Sequence, residues 1–255
     1  MFAVCTVAFL ASLLSFFSGF GLGTLLLPAL ALFMPLEQAV AATAVVHLLN
    51  GLFKLGLLRA HVDRRVVLRF GAPAIVAAFA GAWLLNRLGA MPALASFEAF
   101  DHEFSLMPIK LVLGVLLSVF ALFEVVPRLR GLAFDPRWLP LGGVLSGFLG
   151  GLSGMQGALR SAFLIRCGLG KQVFVATGAA IGCLIDLSRL SIYAPLLARE
   201  FAHLDLALLG LAILAAFAGA LLGHRLLDKT TVIGVQRLVA AMLLVFGVAL
   251  IFGLI

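Results

Sequence analysis

Eight apolar runs, separated by short charged loops, constrain the fold of this sequence more than any other feature. Most of the runs contain about 20 residues, which is enough for a helix to cross roughly 30 Å of hydrocarbon. Only 11% of the 255 residues are charged, and the mean hydropathy is +1.21. Because soluble domains carry roughly 25% charged residues, the sequence predicts an all-α polytopic membrane protein. The runs cover residues 2–34, 38–58, 66–86, 106–126, 138–166, 172–197, 206–226 and 231–254.

Two of these runs, 2–34 and 138–166, are too long for one membrane-spanning helix. A single helix over residues 2–34 would measure about 50 Å at 1.5 Å per residue. Each long run has glycines near its middle, where a helix is weakest. We therefore predict that each run breaks there and folds as a re-entrant hairpin of two half-helices. The glycines are Gly19, Gly21 and Gly23 in the first run and Gly147, Gly150, Gly151, Gly154 and Gly157 in the second.

The two halves of the sequence resemble each other. Residues 38–43, Gln-Ala-Val-Ala-Ala-Thr, match residues 172–177, Gln-Val-Phe-Val-Ala-Thr. A longer match joins residues 77–88 to residues 215–226, and the two offsets are 134 and 138 residues. Two matches in register indicate a duplicated unit, with four apolar segments in each half. The predicted repeats span residues 1–126 and 138–255, with a cytoplasmic linker at 127–137.

The distribution of Lys and Arg selects one membrane topology. If all eight runs simply crossed, the two sides would carry 8 and 7 basic residues, which is no bias. If each long run is a hairpin that returns to its starting side, the counts become 12 and 3. The positive-inside rule favours this second arrangement. The basic side then holds the loops 59–69, 128–137, 166–171 and 225–237, and the other side holds Arg87, Lys110 and Arg199.

This topology predicts that the repeats are inverted relative to each other. A hairpin plus three crossing helices places the next repeat on the opposite side of the membrane, so the two hairpins enter from opposite faces. Both chain termini would lie outside. The glycine-rich hairpin tips would then meet near the midplane of the bilayer, which is an architecture of secondary transporters.

At each hairpin tip a new half-helix is expected to begin, near Thr24 and near Ala158. The free N–H groups of a helix start carry partial positive charge, so two such ends facing one cavity would bind an anion. Glycine allows the backbone to approach the ligand closely. The predicted substrate-binding residues are Gly19, Gly21, Gly23, Thr24, Ser153, Gly154, Gln156, Gly157 and Arg160.

Arg160 is the most informative of these residues. It lies in the first turn of the second half-helix, inside an apolar run. A guanidinium in the bilayer is unfavourable unless it is paired or faces water, and its planar fork suits an oxyanion. The alternative is that Arg160 lies closer to the cytoplasmic surface and extends to it.

Three polar residues share one face of the run 172–197. Asp186 and Arg189 are three residues apart, so they can form an ion pair, and Tyr193 continues the same face. The pair could lock two helices together, or it could be a gate or coupling site that opens during transport.

A similar polar stripe in the first half consists of His47, Asn50 and Lys54. His47 could carry a proton, and the alternative is a hydrogen-bonded packing histidine. His47 and Asn50 are therefore assigned to gating or coupling, together with Asp186 and Arg189. Thr43 and Thr177 are weaker candidates, since each hydroxyl could bond back to its own helix.

These motifs resemble the sulfite exporter TauE/SafE family over nearly the whole chain. The first motif is Gly19-Phe-Gly-Leu-Gly23, followed by Pro28-Ala-Leu30 and an Ala-Thr pair in the next helix. The second is Gly151-Leu-Ser-Gly-Met-Gln-Gly157, followed by Phe163-Leu164 and Ala176-Thr177. The resemblance implies a bacterial inner-membrane permease for sulfite, sulfonates or related anions, with the substrate at the stretches around Gly23 and Gly157. The second motif departs from the family at Gln156, where a glycine is common, and at Ala162, where the first half has Pro28.

The sequence thus predicts a secondary transporter, an exporter, for a small anion, with sulfite or an organosulfonate as the expected substrate. It would work by alternating access, with a coupling proton or ion, and without a cofactor or a metal. The alternatives are an anion channel on the same scaffold and an integral membrane enzyme, although the five scattered histidines argue against the enzyme. The basic residues lie in short loops, so the net charge of +7 is not a nucleic-acid signal.

Overall fold

The computed structural model describes residues 1–15, 22–99, 102–200, 205–226 and 233–253. These residues are almost entirely helical, and the connections between the helices are short. The helices are α1 Phe2–Leu14, α2 Leu22–Ala31, α3 Leu36–Leu58, α4 Arg64–Gly89, α5 Pro108–Val125, α6 Pro127–Arg130, α7 Leu139–Ser153, α8 Gly157–Leu164, α9 Lys171–Glu200, α10 Leu206–Leu226 and α11 Ile233–Ile251.

Among the described residues, four stretches are long and apolar enough to cross a membrane, and they correspond to α3, α4, α9 and α10. Helices α5 and α11, with 18 and 19 residues, are each about 28 Å long at 1.5 Å per residue. Large apolar side chains are exposed on the outer faces of these helices, among them Val76, Trp83 and Leu214. Length, composition and exposed apolar surface together describe a multi-pass membrane protein.

The second overlong apolar run is divided into two helices, as its length predicted. In the second run, Gly154 ends α7 in the left-handed conformation with φ +79, and α8 begins at Gly157. Helix α8 then folds back along α7. A Cβ at Gly142 would lie 2.5 Å from the Phe163 ring, whereas in one straight helix these residues would be about 31 Å apart. In the first run, α1 and α2 contact each other and flank residues 16–21, which lie outside the described residues.

The helices pack so that each half of the chain contacts the other in an equivalent way. Helix α7 packs on α4, and its counterpart α1 packs on α10; the pairs α3 with α9 and α5 with α11 are also extensive. Gly81 and Gly219, which correspond in the sequence match of residues 77–88 to 215–226, both lie against a backbone carbonyl of the other half, at Phe148 and at Phe9. The closest helix crossings therefore recur in both halves.

A short β-hairpin departs from the all-helical prediction. Strands β1 Ala95–Ala99 and β2 His102–Leu106 pair antiparallel, with Phe97 opposite Phe104. Polar and apolar residues alternate here with the period of a strand. The stretch is so short and so charged that its sequence pattern does not distinguish it from a loop. For this reason α5 begins at Pro108 and not at residue 106.

Candidate functional site

A cavity of about 60 Å³ lies where the two interrupted runs meet. Its walls are the starts of α2 and α8, the break after α7, and the middle parts of α3 and α9. One buried water needs roughly 10–15 Å³ of cavity volume. The cavity therefore has room for about four waters or for one small oxyanion. The polar side chains that line it include Ser15, Thr24, His47, Asn50, Lys54 and Arg160.

The two glycine-rich breaks touch at the wall of this cavity. A Cβ at Gly23 would lie 2.6 Å from the carbonyl oxygen of Gly154 and 3.6 Å from the His47 ring. Gly154 itself needs glycine because its φ is +79, and its N–H closes α7 by bonding to the Gly150 carbonyl. Bare backbone from both halves therefore faces the cavity, and both half-helix starts open onto it.

Arg160 places its guanidinium in the cavity from the first turn of α8. Its Nη1 donates to Gln156 Oε1 at 3.0 Å. On the other side it lies over bare backbone, since Cβ atoms at Gly178 and Gly182 would be 3.5 and 3.2 Å from its nitrogens. These glycines of α9 leave the space that the guanidinium and a bound anion would share.

A set of three hydrogen-bonded polar side chains joins α3 to α9 beside the cavity. His47 Nδ1 lies 2.5 Å from Asp186 Oδ2, and Arg189 Nε donates to Asp186 Oδ1 at 2.9 Å. The Asp186 and Arg189 side chains are fully buried. The ion pair predicted from their spacing is therefore present, and it extends to a third member, His47, from the other half of the chain.

Tyr193 connects the cluster of His47, Asp186 and Arg189 to the break between α7 and α8. Its hydroxyl donates to the Gly151 carbonyl at 2.5 Å, and its side chain is buried. The Arg189 guanidinium faces the same region, because a Cβ at Gly154 would lie 2.6 Å from its Nη1. The second hairpin tip is thus held against α9 by the Tyr193 hydrogen bond, and the Arg189 guanidinium packs beside it.

A second cavity, of about 550 Å³, lies at the other ends of the same helices. It is lined by the start of α3 at Glu37 and Gln38, the end of α4 at Asn86, and the end of α9 at Arg199. Along α9 the two cavities are separated by residues 182–192, which is about 15 Å of helix. Asp186 and Arg189 lie within this interval, and both side chains are fully buried.

Comparison with known proteins agrees with this geometry. The family model described as "Sulfite exporter TauE/SafE" matches residues 4–250, nearly the whole chain. The chain belongs to the TauE/SafE family. The resemblance seen in the glycine motifs is confirmed, and membership of this transporter family fits transport rather than catalysis. No curated protein and no solved structure matches the chain significantly.

In this TauE/SafE protein, the polar stripe of α3 contacts α1. Ser12 Oγ donates to Asn50 Oδ1 at 3.0 Å, and Lys54 Nζ donates to the hydroxyl of Ser15. The sequence placed Lys54 on this stripe but did not assign it to the site, although it lines the cavity. The sequence feature that could have assigned Lys54 to the site was its spacing from His47, because that spacing puts both residues on one helix face.

Two predicted substrate ligands of the TauE/SafE protein lie behind the cavity wall. Ser153 is buried, and its hydroxyl donates to the Leu149 carbonyl of its own helix. Gln156 is also buried; its Oε1 accepts from Arg160, and its Nε2 has no hydrogen-bond partner among the described residues. Neither side chain lines the cavity, and Gln156 contacts it through its hydrogen bond to Arg160.

The remaining candidates have different surroundings. Thr43 is buried and its hydroxyl has no hydrogen-bond partner among the described residues, so the expected bond to its own helix is wrong. Thr177 Oγ1 accepts from the backbone N–H of Asp63 at 2.9 Å, which ties α9 to the start of α4. Gly19 and Gly21 lie outside the described residues. Within the described ranges, no three His, Cys, Asp or Glu side chains are grouped as metal ligands.

Proposed function

We propose that this TauE/SafE protein is a secondary transporter of the bacterial inner membrane that exports a small sulfur oxyanion, sulfite or an organosulfonate. The observation that carries the proposal is the cavity onto which the starts of α2 and α8 open and into which Arg160 extends. Family membership supports sulfur anions as the substrate class.

The chemistry of the cavity suits an oxyanion. The starts of α2 and α8 supply backbone N–H groups with partial positive charge at the cavity. Arg160 adds a planar fork of donors that matches two oxygens of one anion, and Gln156 holds that fork in place at 3.0 Å. Removed from water, each of these interactions is stronger than at a protein surface.

We further propose that the halves are inverted repeats that exchange roles during alternating access. The reciprocal packing of α5 and α11 supports this, since Cβ atoms at Gly114 and Gly247 would each contact the carbonyl of the other, at 2.6 and 2.8 Å. With the predicted topology, the 60 Å³ cavity extends toward the cytoplasmic side and the 550 Å³ cavity lies on the outer side. The anion would pass between them along α3 and α9.

Asp186, Arg189 and His47 form the gate of this path in our proposal. Asp186 and Arg189 lie between the two cavities along α9, and the hydrogen bond from His47 to Asp186 joins the two halves. Passage of the anion requires that these contacts separate. His47 touches both the cavity and Asp186, so it is placed to carry the coupling proton.

Transport by purified protein in proteoliposomes tests the proposal. We expect saturable uptake of labelled sulfite and acceleration by unlabelled sulfite inside the vesicles, which is counterflow. Arg160→Ala should abolish saturable transport while the protein remains folded in the membrane. Arg166→Ala is the matched control, because Arg166 is exposed in the loop after α8.

The outcomes separate the competing functions. Uptake that does not saturate and shows no counterflow would favour an anion channel on the same scaffold. Chemical conversion of sulfite during the assay would favour a membrane enzyme. Unchanged affinity in Arg160→Ala would remove this residue from the site.

A further inference from the structure

The Arg189 guanidinium lies directly behind the backbone of the break between α7 and α8. A Cβ at Gly154 would lie 2.6 Å from Arg189 Nη1 and 3.3 Å from its Cζ and its Nη2. Gly154 also lines the cavity of about 60 Å³ into which Arg160 extends. One glycine thus contacts both this cavity and a second guanidinium, which comes from α9.

Asp186 occupies one edge of the Arg189 guanidinium. Nε donates to Asp186 Oδ1 at 2.9 Å, and Nη2 lies 2.8 Å from the same oxygen. Nη1, the nitrogen nearest to Gly154, has no hydrogen-bond partner among the described residues, and the side chain is 0% exposed. Buried donors without a partner are unfavourable and rare in folded proteins. Nη1 is therefore available to an acceptor that reaches the break.

Gln156 presents a second buried donor at the same break. Its Oε1 accepts from Arg160, whereas its Nε2 has no hydrogen-bond partner in the described part of the chain. A Cβ at Gly150 would lie 3.5 Å from Gln156 Cδ and 2.9 Å from Ile185 Cγ2, so this amide lies between α7 and α9. Ile185 precedes Arg189 by about one helical turn. Both donors therefore lie behind the cavity wall, where the break packs against α9.

We infer that Arg189 is a second anion-binding residue, which takes the substrate anion from Arg160 as Asp186 separates from it. The inference rests on the proposed function and deepens it, because the opening of the gate becomes a binding step. The Asp186 carboxylate is itself an oxyanion with two oxygens, and it binds the guanidinium as a substrate oxyanion would. Asp186 and the substrate therefore compete for one cation.

The physical reason is that buried charges must stay paired while the gate opens. Arg189 is fully buried, so its separation from Asp186 without a replacement would leave an unpaired cation in the membrane interior, which is strongly unfavourable. An anion bound at Nη1 supplies the replacement before Nε and Nη2 release Asp186. Asp186 in turn keeps His47, whose Nδ1 lies 2.5 Å from Oδ2. The anion therefore lowers the barrier to its own passage.

The double variant Asp186→Asn with Arg189→Met distinguishes a residue that binds the anion from one that only locks two helices. It removes both charges, so neither is left buried without a partner. Equilibrium binding of labelled sulfite to the purified full-length variant and counterflow at saturating sulfite in proteoliposomes are measured. We expect binding within about twofold of wild type, since Arg160 is retained, and counterflow at least about tenfold slower, which corresponds to about 1.4 kcal/mol.

Two further variants complete the comparison. Asp135→Asn with Arg137→Met is the matched control, because this pair is exposed to solvent, and it should keep wild-type binding and counterflow. Arg189→Lys keeps a cation beside Asp186 but has no planar fork with a second edge for the anion. It should therefore also slow counterflow while the protein remains folded.

Each outcome has one meaning. If the pair only locks the helices, the double variant should transport at the wild-type rate or faster, and this result would overturn the inference. Loss of equilibrium sulfite binding in the double variant would place Arg189 in the resting site and contradict the transfer from Arg160. If the wild-type protein shows no saturable counterflow, the proposed function itself fails, and the inference with it. If the double variant does not fold, Arg189→Lys decides, and a wild-type rate there would remove Arg189 from the path.

Discussion

Replacing Asp186 by Asn should destabilise the protein strongly, because it leaves a buried cation without its partner. The Asp186 and Arg189 side chains are both 0% exposed and are joined at 2.8–2.9 Å. Asn preserves the shape of the side chain but removes its charge. Breaking a buried ion pair in this way costs about 3–5 kcal/mol of the free energy of unfolding.

A surface pair provides the matched control. Asp135 and Arg137 are 3.8 Å apart, and their side chains are 54% and 75% exposed. Exposed pairs of this kind contribute about 0–1 kcal/mol. Asp135 also caps a short 3-10 turn by accepting from the Arg137 N–H at 2.9 Å, a role that Asn can retain. Asp135→Asn should therefore change stability little.

The assay is unfolding of each purified variant in the same detergent, followed as a function of temperature or denaturant. A double variant, Asp186→Asn with Arg189→Met, completes the test. It should be more stable than Asp186→Asn alone, since no uncompensated charge remains. If Asp186→Asn is as stable as Asp135→Asn, or if the double variant recovers nothing, the buried Asp186–Arg189 ion pair does not stabilise the fold in the way described.

Three further predictions concern the tips, the coupling proton and the topology. Gly23→Ala would place a Cβ 2.6 Å from the Gly154 carbonyl oxygen, so the two hairpin tips should move apart. We expect this to lower the free energy of unfolding by about 1–3 kcal/mol and to weaken sulfite binding. A variant that binds sulfite with wild-type affinity would contradict this prediction. His47→Gln should abolish the stimulation of thiosulfate uptake by an imposed proton gradient, because His47 is the proposed proton carrier. Stimulation equal to that of the wild type would exclude His47 from this role. A reporter fused to the C-terminus should report the outer face, and a cytoplasmic signal would refute the double-hairpin topology.

Much of the helical framework could be predicted because the bilayer limits helix length. Helix α10 occupies residues 206–226, as its apolar run predicted. The break at Gly154 followed from a run too long for one crossing and rich in glycine. The Asp186–Arg189 pair followed from helical spacing alone, because residues three apart lie on one face.

The remaining features depend on contacts between residues far apart in the chain. His47 and Asp186 are separated by 139 residues, so helical periodicity carries no information about their contact. Ser153 was assigned to the ligand because of its position at the tip, but its hydroxyl turns back to the Leu149 carbonyl. Lys54 joins the site only because residues of α3, α8 and α9 line one cavity.

The position of a bound anion is the most direct test of the central claim that paired half-helix starts and Arg160 form the substrate site. Selenite is an analogue of sulfite whose selenium scatters X-rays anomalously, so an anomalous map from crystals grown with selenite locates it. We predict one peak in the cavity, with the selenite oxygens at about 3 Å from the Arg160 guanidinium and beside Gly23 and Gly157. A peak elsewhere in the protein, with none in this cavity, would contradict the account.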